Sequence, residues 1–179
     1  MLQVILVNER DEPTGAMEKI EAHEKGLLHR AFSVFIFNEQ GEMLLQQRAP
    51  GKYHSPNLWT NACCSHPAPG EEVSAAAHRR LKEEMGFDTE LEKAFAFTYR
   101  AEFENGLTEH EFDHVFVGRY NGPVNPDPLE VSRYRYLNLR ELRKELQEQP
   151  GLFTEWFKIA DPRLEEYLAN REPEVLSPS

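Results

Sequence analysis

The chain has 179 residues, 40% of them hydrophobic and 11% aromatic, which suits one domain with a real core and excludes disorder except at the ends. Its 31 acidic against 20 basic side chains give a net charge of −11, which disfavours a general nucleic-acid or anionic-membrane surface and makes any anionic substrate dependent on local cations or a metal. Met1 to Asn8 lacks the basic start and cleavage site of a signal peptide, and no run approaches the roughly 20 apolar residues that cross a bilayer, so a cytosolic protein is expected.

Val4 to Val7 reads as a strand, followed by a turn at Asp11-Glu12-Pro13-Thr14-Gly15. Glu18 to Glu24 is a short polar helix or loop ending near Gly26. Ala31 to Phe37 and Glu42 to Gln47, joined by Asn38-Glu39-Gln40-Gly41, predict a hairpin, and Arg48 to Pro56 follows as a loop rich in Pro, Gly and basic groups. Beyond Pro69-Gly70 lies the clearest helix, Glu72 to Met85. Ser74 or the acidic pair Glu71-Glu72 sits at its start, Ala77, Leu81 and Met85 form a stripe at i, i+4, i+8, and Gly86 ends it. Lys93 to Phe103 and Leu107 to Arg119 are long strands about Glu104-Asn105-Gly106, and Tyr134 to Leu139 is another. Leu142 to Gln147 and Glu155 to Asn170 are helical, with Pro162 breaking the second, and Glu172 to Ser179 is a loose tail. The pattern predicts one mixed α+β domain over residues 1–179.

The stretch Trp59-Thr60-Asn61-Ala62-Cys63-Cys64-Ser65-His66-Pro67 brings together a thiol, an imidazole and an indole. In an extended segment Cys64 and His66 share a face and Cys63 points oppositely, so one sulfur suits chemistry and the other packing. Bridging two adjacent cysteines demands a strained ring, so both are expected as reduced thiols.

On the predicted helix, Arg79 to Glu83 and Arg80 to Glu84 are i, i+4 pairs that fit a solvated face. Glu109 and Glu111 lie on one face of a strand, which alone also suits solvent. Taken with His23, His29 and His66 they form a mixed nitrogen and oxygen set suited to Mn²⁺, Zn²⁺ or Fe²⁺. His54, His78, His110 and His114 lack such support and are expected to be structural.

The pattern Glu71, Arg79, Leu81, Glu83, Glu84, Gly86, Phe87 resembles the Nudix box, a loop, helix and loop whose carboxylates hold a divalent cation on a diphosphate. The box opens on Gly where this chain has Ser65 and places Glu where it has Arg80, which argues against pyrophosphate hydrolysis. His23 to His29 with Ala31-Phe32-Ser33, Trp59-Thr60-Asn61 to Cys64-Ser65-His66-Pro67, Tyr99-Arg100-Ala101 and Glu109-His110-Glu111 resemble type 1 isopentenyl-diphosphate delta-isomerases, which have the Nudix fold, from Lys19 to about Trp156.

That resemblance implies a Nudix fold with a core at about residues 30–165, a transition metal (Mn²⁺, or Zn²⁺ or Fe²⁺) on His23, His29, His66, Glu109 and Glu111, and Mg²⁺ on the substrate diphosphate assisted by Glu84. It implies Lys19, Arg48 and Lys52 as diphosphate-binding cations, Cys64 as the catalytic thiol, and Glu111 as the opposing acid or base with Tyr99 as its helper. Trp156 is implied as the indole facing the hydrocarbon, although a core role is equally open to it. The implied reaction interconverts isopentenyl and dimethylallyl diphosphate through a carbocation-like intermediate, with Glu111 and Tyr99 on the protonating side in the forward direction. The partner is a small diphosphate, with no nucleic acid or membrane and a monomer favoured. A Nudix pyrophosphohydrolase and a metal-stabilised binding domain are the competing readings.

Overall fold

The computed structural model describes residues 2–171, so the expected tail from Glu172 lies outside the described residues. In chain order the elements are β1 (Gln3–Val7), β2 (Pro13–Glu18), α1 (Lys19–Lys25), β3 (His29–Phe37), β4 (Met43–Arg48), β5 (Trp59–Thr60) and β6 (Cys63–Ser65). There follow α2 (Val73–Met85), β7 (Leu91–Glu102), β8 (Thr108–Arg119), β9 (Val131–Leu137), α3 (Leu139–Glu148) and α4 (Glu155–Ala169).

Strand β3 is the axis. It pairs antiparallel with β6, with Ser33 opposite Cys64, and parallel with β8, with His29 opposite Glu111. Because side chains alternate along a strand, His29, Ala31, Ser33, Phe35 and Phe37 face one way and Phe32, Val34 and Ile36 the other. Phe35 and Phe37 pack with Trp156, Phe157, Ala160 and Leu164 of α4, while Phe32, Val34 and Ile36 pack with Ala76, Ala77, Leu81 and Met85 of α2. Two cores thus sit on the two faces of one sheet, and only the polar half of the first face is free to build a site.

Helix α2 follows its expected stripe. Gly86 closes it in the left-handed region at φ 75°, where a Cβ would lie 2.3 Å from the Asn125 carbonyl oxygen, so only glycine fits. Helix α1 is capped by Glu18, whose side chain accepts from the Glu21 N–H at 2.8 Å.

Four expectations are corrected. Residues 13–18, read partly as turn, form edge strand β2, in which Pro13 occupies the tolerated first position. The hairpin after Phe37 pairs only at its base, Phe37 with Met43. Beyond it β4 leaves to pair with β9 and β5, because β3 already carries β6 and β8. Strand β9 starts earlier, at Val131, and ends at Leu137. Asn138 then caps α3, accepting from the Glu141 N–H at 2.8 Å. Pro162 does not break α4. An interior proline costs about 3 kcal/mol, whereas burying Phe157 and Leu164 returns about 1.5–3 kcal/mol each, so packing holds the helix together.

Candidate active site

The two cysteines part as the pleat requires. Cys63 is fully buried against α2, and Cys64 faces the other side, next to Trp156. The Cys64 S–H donates to Asn61 Oδ1 at 3.0 Å, and the Trp156 indole N–H donates to Sγ at 3.0 Å. Ser33 Oγ stands 3.5 Å from the same sulfur and donates to Asp113 Oδ2 at 2.7 Å. Burial, and then the nearby Asp113, push the Cys64 thiol well above its ordinary range, so it is a protonated thiol at neutral pH.

Asn61 is fully buried and fixed from all sides: its amide N–H groups donate to the Val34 carbonyl at 2.9 Å and the Cys63 carbonyl at 3.0 Å. Its Oδ1 also accepts from Thr60 Oγ1 at 2.8 Å, and Thr60 Oγ1 accepts from Thr154 Oγ1 at 3.0 Å. Thr154 is the cap of α4, so one chain of hydrogen bonds joins the start of that helix to the Cys64 sulfur.

Three imidazoles converge four residues along β3 from Ser33. Ring centroids of His23 and His29 are 4.9 Å apart and those of His29 and His66 5.0 Å. Glu111 Oε2 lies 2.7 Å from His66 Nε2 and 3.3 Å from His29 Nε2. Burial works to raise the Glu111 carboxyl, and the hydrogen bonds and charge of His29 and His66 outweigh it, holding it well below the usual carboxylate range. Burial depresses His23 to about 4, with His66 adding to the effect, so His23 is neutral. The Tyr99 phenol is bonded to Glu109 Oε1 and Glu111 Oε1, and burial followed by those two charges raises it well above its ordinary value.

His23, His29, His66 and Glu111 offer ligand atoms close enough together to hold one metal ion. The fit is chemical as well as geometric. His23 Nδ1 is engaged with the Lys19 carbonyl at 2.7 Å, while His23 Nε2 is buried without a hydrogen-bond partner, an expense a metal ion would remove. Buried imidazole and carboxylate donors suit a first-row divalent ion.

A cavity of about 310 Å³ is lined by Cys64, His66, Glu109, Glu111, Trp156, Glu84, Lys19, Arg48 and Lys52, so the expected thiol, carboxylates and cations open onto one space. His23, His29 and Tyr99 stand behind its wall, reaching it through Glu109 and Glu111. Arg48 lies over the Trp156 ring, 5.0 Å from its centroid, and Lys52 pairs with Glu130. Burial lowers the Lys19 ammonium, and Lys52 adds to it by repulsion, a tension that a bound anion relieves. On α2, Arg80 pairs with Glu84 at 2.6 Å and Arg79 with Glu83 at 2.8 Å, as the i, i+4 spacing foretold. Glu84 is nonetheless buried, accepting from Gln46 Nε2 at 3.2 Å, whereas Glu83 faces outward.

His78, His110 and His114 fit a structural role, against Asp88, the Gly26 carbonyl and Asp11. His54 does not. It is buried, with Nε2 2.7 Å from Glu109 Oε2, and it forms a second potential ligand group with His23 and Glu109. It sits in an irregular loop where no periodicity could have flagged it. Asn61 was within reach of the sequence, inside the Trp59 to Pro67 stretch. Ser33 fell within the Ala31-Phe32-Ser33 segment but without a role, and Asp113 carried no local signal, since their partnership crosses from β3 to β8.

The family description "NUDIX domain" matches residues 27–157. A crystal structure from Deinococcus radiodurans superposes with a TM-score of 0.69 over 82% of this chain and 90% of that one, at 22% identity, a likeness of fold alone. At the sequence level, the "Isopentenyl-diphosphate Delta-isomerase" of Pectobacterium atrosepticum is 51% identical over 93% of both chains. The protein of the same name from Burkholderia multivorans is 52% identical over 87% of this chain and 88% of its own length. The chain belongs to the isopentenyl-diphosphate Delta-isomerase family, within the Nudix domains.

Proposed function

We infer that this enzyme interconverts isopentenyl diphosphate and dimethylallyl diphosphate. The observation that carries the reading is that a thiol on β6 and a metal-site carboxylate on β8, the two strands flanking β3, open onto the same small cavity as Lys19, Arg48 and Lys52. Its volume lies at the lower end of the roughly 300–1,000 Å³ of ligand sites, which suits a short hydrocarbon on a diphosphate.

The reaction adds a proton to the terminal carbon of the double bond and removes one from the carbon nearer the diphosphate, so it needs a donor and an acceptor on opposite sides of the substrate. In this reading Cys64 serves one side and Glu111, backed by Tyr99, the other. An alkene is a feeble base, so the donor must be strong and fixed, and water must be kept from the tertiary cation. The indole of Trp156 offers that cation a π face worth about 0.5–2 kcal/mol without a nucleophilic atom.

Forward turnover begins with the proton on the Glu111 and Tyr99 side and sulfur as the receiver; the thiol and carboxylate favoured here correspond to the end of that direction. Because the reaction is reversible, the same two groups exchange roles. Lys19, Arg48 and Lys52 hold the diphosphate and fix the hydrocarbon between them. A manganese, zinc or iron ion on His23, His29, His66, Glu109 and Glu111 would sharpen the acidity of the ligated carboxyl, and Mg²⁺ assisted by Glu84 would neutralise the diphosphate.

The whole chain works as one unit in this reading, as a monomer in the cytoplasm, where free thiols such as Cys63 and Cys64 persist. No described helix is long and apolar enough to cross a membrane. Hydrolysis is disfavoured because Arg80, paired with Glu84, stands where the Nudix box carries a carboxylate. The test is incubation with isopentenyl diphosphate and Mg²⁺ in deuterated water. Dimethylallyl diphosphate carrying deuterium is expected; phosphate release without isomerised product would overturn the assignment.

A further inference from the structure

His54 has a geometry that neither a core histidine nor a surface one needs. Its ring is buried, stacked on Phe103 at 4.7 Å between centroids and edge-on to Trp156 at 5.5 Å. Its Nδ1 lies 3.2 Å from Ser55 Oγ, a hydroxyl that can accept its proton and so leave the Nε2 lone pair open to a ligand. That Nε2 lies only 2.7 Å from Glu109 Oε2, yet the two do not meet in hydrogen-bonding geometry, and Nε2 has no other partner. A nitrogen lone pair and a carboxylate oxygen held side by side repel unless a cation lies between them.

The loop is organised to keep this arrangement. Arg48 donates to the His54 carbonyl at 3.2 Å, Asn105 donates to the Tyr53 carbonyl at 3.0 Å, and Ser55 accepts a left-handed φ of 51° to turn the chain after His54.

The rest of the centre matches. His23 Nε2, also buried and unpartnered, lies 3.9 Å from the same Glu109 Oε2. Tyr99 occupies Oε1 of both Glu109 and Glu111, so each carboxylate presents its Oε2 to imidazole Nε2 atoms. The nitrogens Nδ1 of His23 and His29 are engaged by the Lys19 and Leu27 carbonyls, which turns their Nε2 atoms the same way.

His23 belongs to both potential ligand groups, the one with His29, His66 and Glu111 and the one with His54 and Glu109. One imidazole nitrogen has one lone pair and can serve one ion, so the two groups cannot hold separate ions through the same His23 nitrogen.

We propose that His54 is a direct ligand of that ion, making a six-donor centre of four imidazole nitrogens, from His23, His29, His54 and His66, and two carboxylate oxygens. The inference rests on the metal-centre reading above and extends it. Such a set favours an octahedral, nitrogen-preferring divalent ion over Mg²⁺.

The test uses the full-length protein, stripped with chelator and reloaded with Co²⁺, whose paramagnetism shifts the exchangeable ring N–H of each ligating imidazole outside the ordinary proton spectrum. Four such resonances are expected in the wild type and three in His54→Gln, with one Co²⁺ per chain and affinity lowered by about tenfold or more in the variant, measured by chelator competition. Three resonances in the wild type, or four that persist in the variant, overturn ligation by His54 and leave the other five donors standing. Two ions per chain overturn the single centre. A wild type that takes up no Co²⁺ overturns the metal-centre reading itself.

Discussion

The indole N–H of Trp156 donates to the sulfur of Cys64 across 3.0 Å, so the residue with the least distinctive sequence surroundings is bonded to the one with the most. One face of its ring is covered by Arg48. This bond stabilises the thiolate more than the thiol. Trp156→Phe, which keeps a ring and loses the donor, is expected to slow iodoacetamide alkylation of Cys64 about tenfold at each pH tested, the equivalent of ~1.4 kcal/mol. An unchanged profile would reduce Trp156 to a space-filling role.

Cys64→Ala removes one sulfur from a cavity wall and leaves the imidazole cluster untouched. Turnover should disappear while Co²⁺ uptake and substrate binding persist. Purified variant that still isomerises substrate would reject the thiol as a catalytic group.

Asn61 is bonded to the Cys64 sulfur and is expected to act by positioning it. Asn61→Ala strands the Val34 and Cys63 carbonyls and frees the Cys64 S–H, at about 1–3 kcal/mol for the buried groups left unpaired. The expected result is a Tm lower by several degrees, with kcat reduced far more than KM is changed. Equal losses in both constants would mean that Asn61 acts on substrate binding instead.

Glu84→Gln keeps the shape of the cavity edge and removes one charge. We expect the Mg²⁺ concentration for half-maximal activity to rise about tenfold or more, with the content of bound transition metal unchanged. A parallel loss of both metals would place Glu84 in the histidine centre.

Asp161 lies in α4, away from the cavity, and burial, with Glu165 adding, raises its carboxyl from 3.8 to about 6. The folded protein therefore holds a proton that the unfolded chain releases between those values. Its contribution to stability is full below the lower pH and is lost as pH rises through the upper one. At pH 8 the ionised group is a penalty of at most about 3 kcal/mol. Asp161→Asn should raise Tm at pH 8 by several degrees and leave it nearly unchanged at pH 4, as read by calorimetry.

What could be read from sequence divides by distance along the chain. The α2 stripe of Ala77, Leu81 and Met85 and its stop at Gly86 were legible because helical periodicity is local. So was the opposed placement of Cys63 and Cys64, which the pleat imposes. The partners of β3 were not, because the parallel register from His29–Glu111 to Phe37–Arg119 spans about half the chain and leaves no local mark. Pro162 misled because a local rule was outweighed by Phe157 and Leu164 packing at a distance. Most of the candidate site was legible through the Trp59 to Pro67 stretch and the Glu109 and Glu111 pair, whereas the place of His54 beside Glu109 was hidden in a loop whose shape depends on Arg48, Phe103 and Asn105.

The line of hydroxyls and amide from Thr154 through Thr60 and Asn61 to Cys64 also ties reactivity to the carboxy-terminal helix. If that helix lifts from the sheet, the sulfur loses its indole donor and the support of its amide acceptor in one motion, although the central strands remain paired. Heating should then silence the enzyme at temperatures where most of its backbone amides are still protected from exchange.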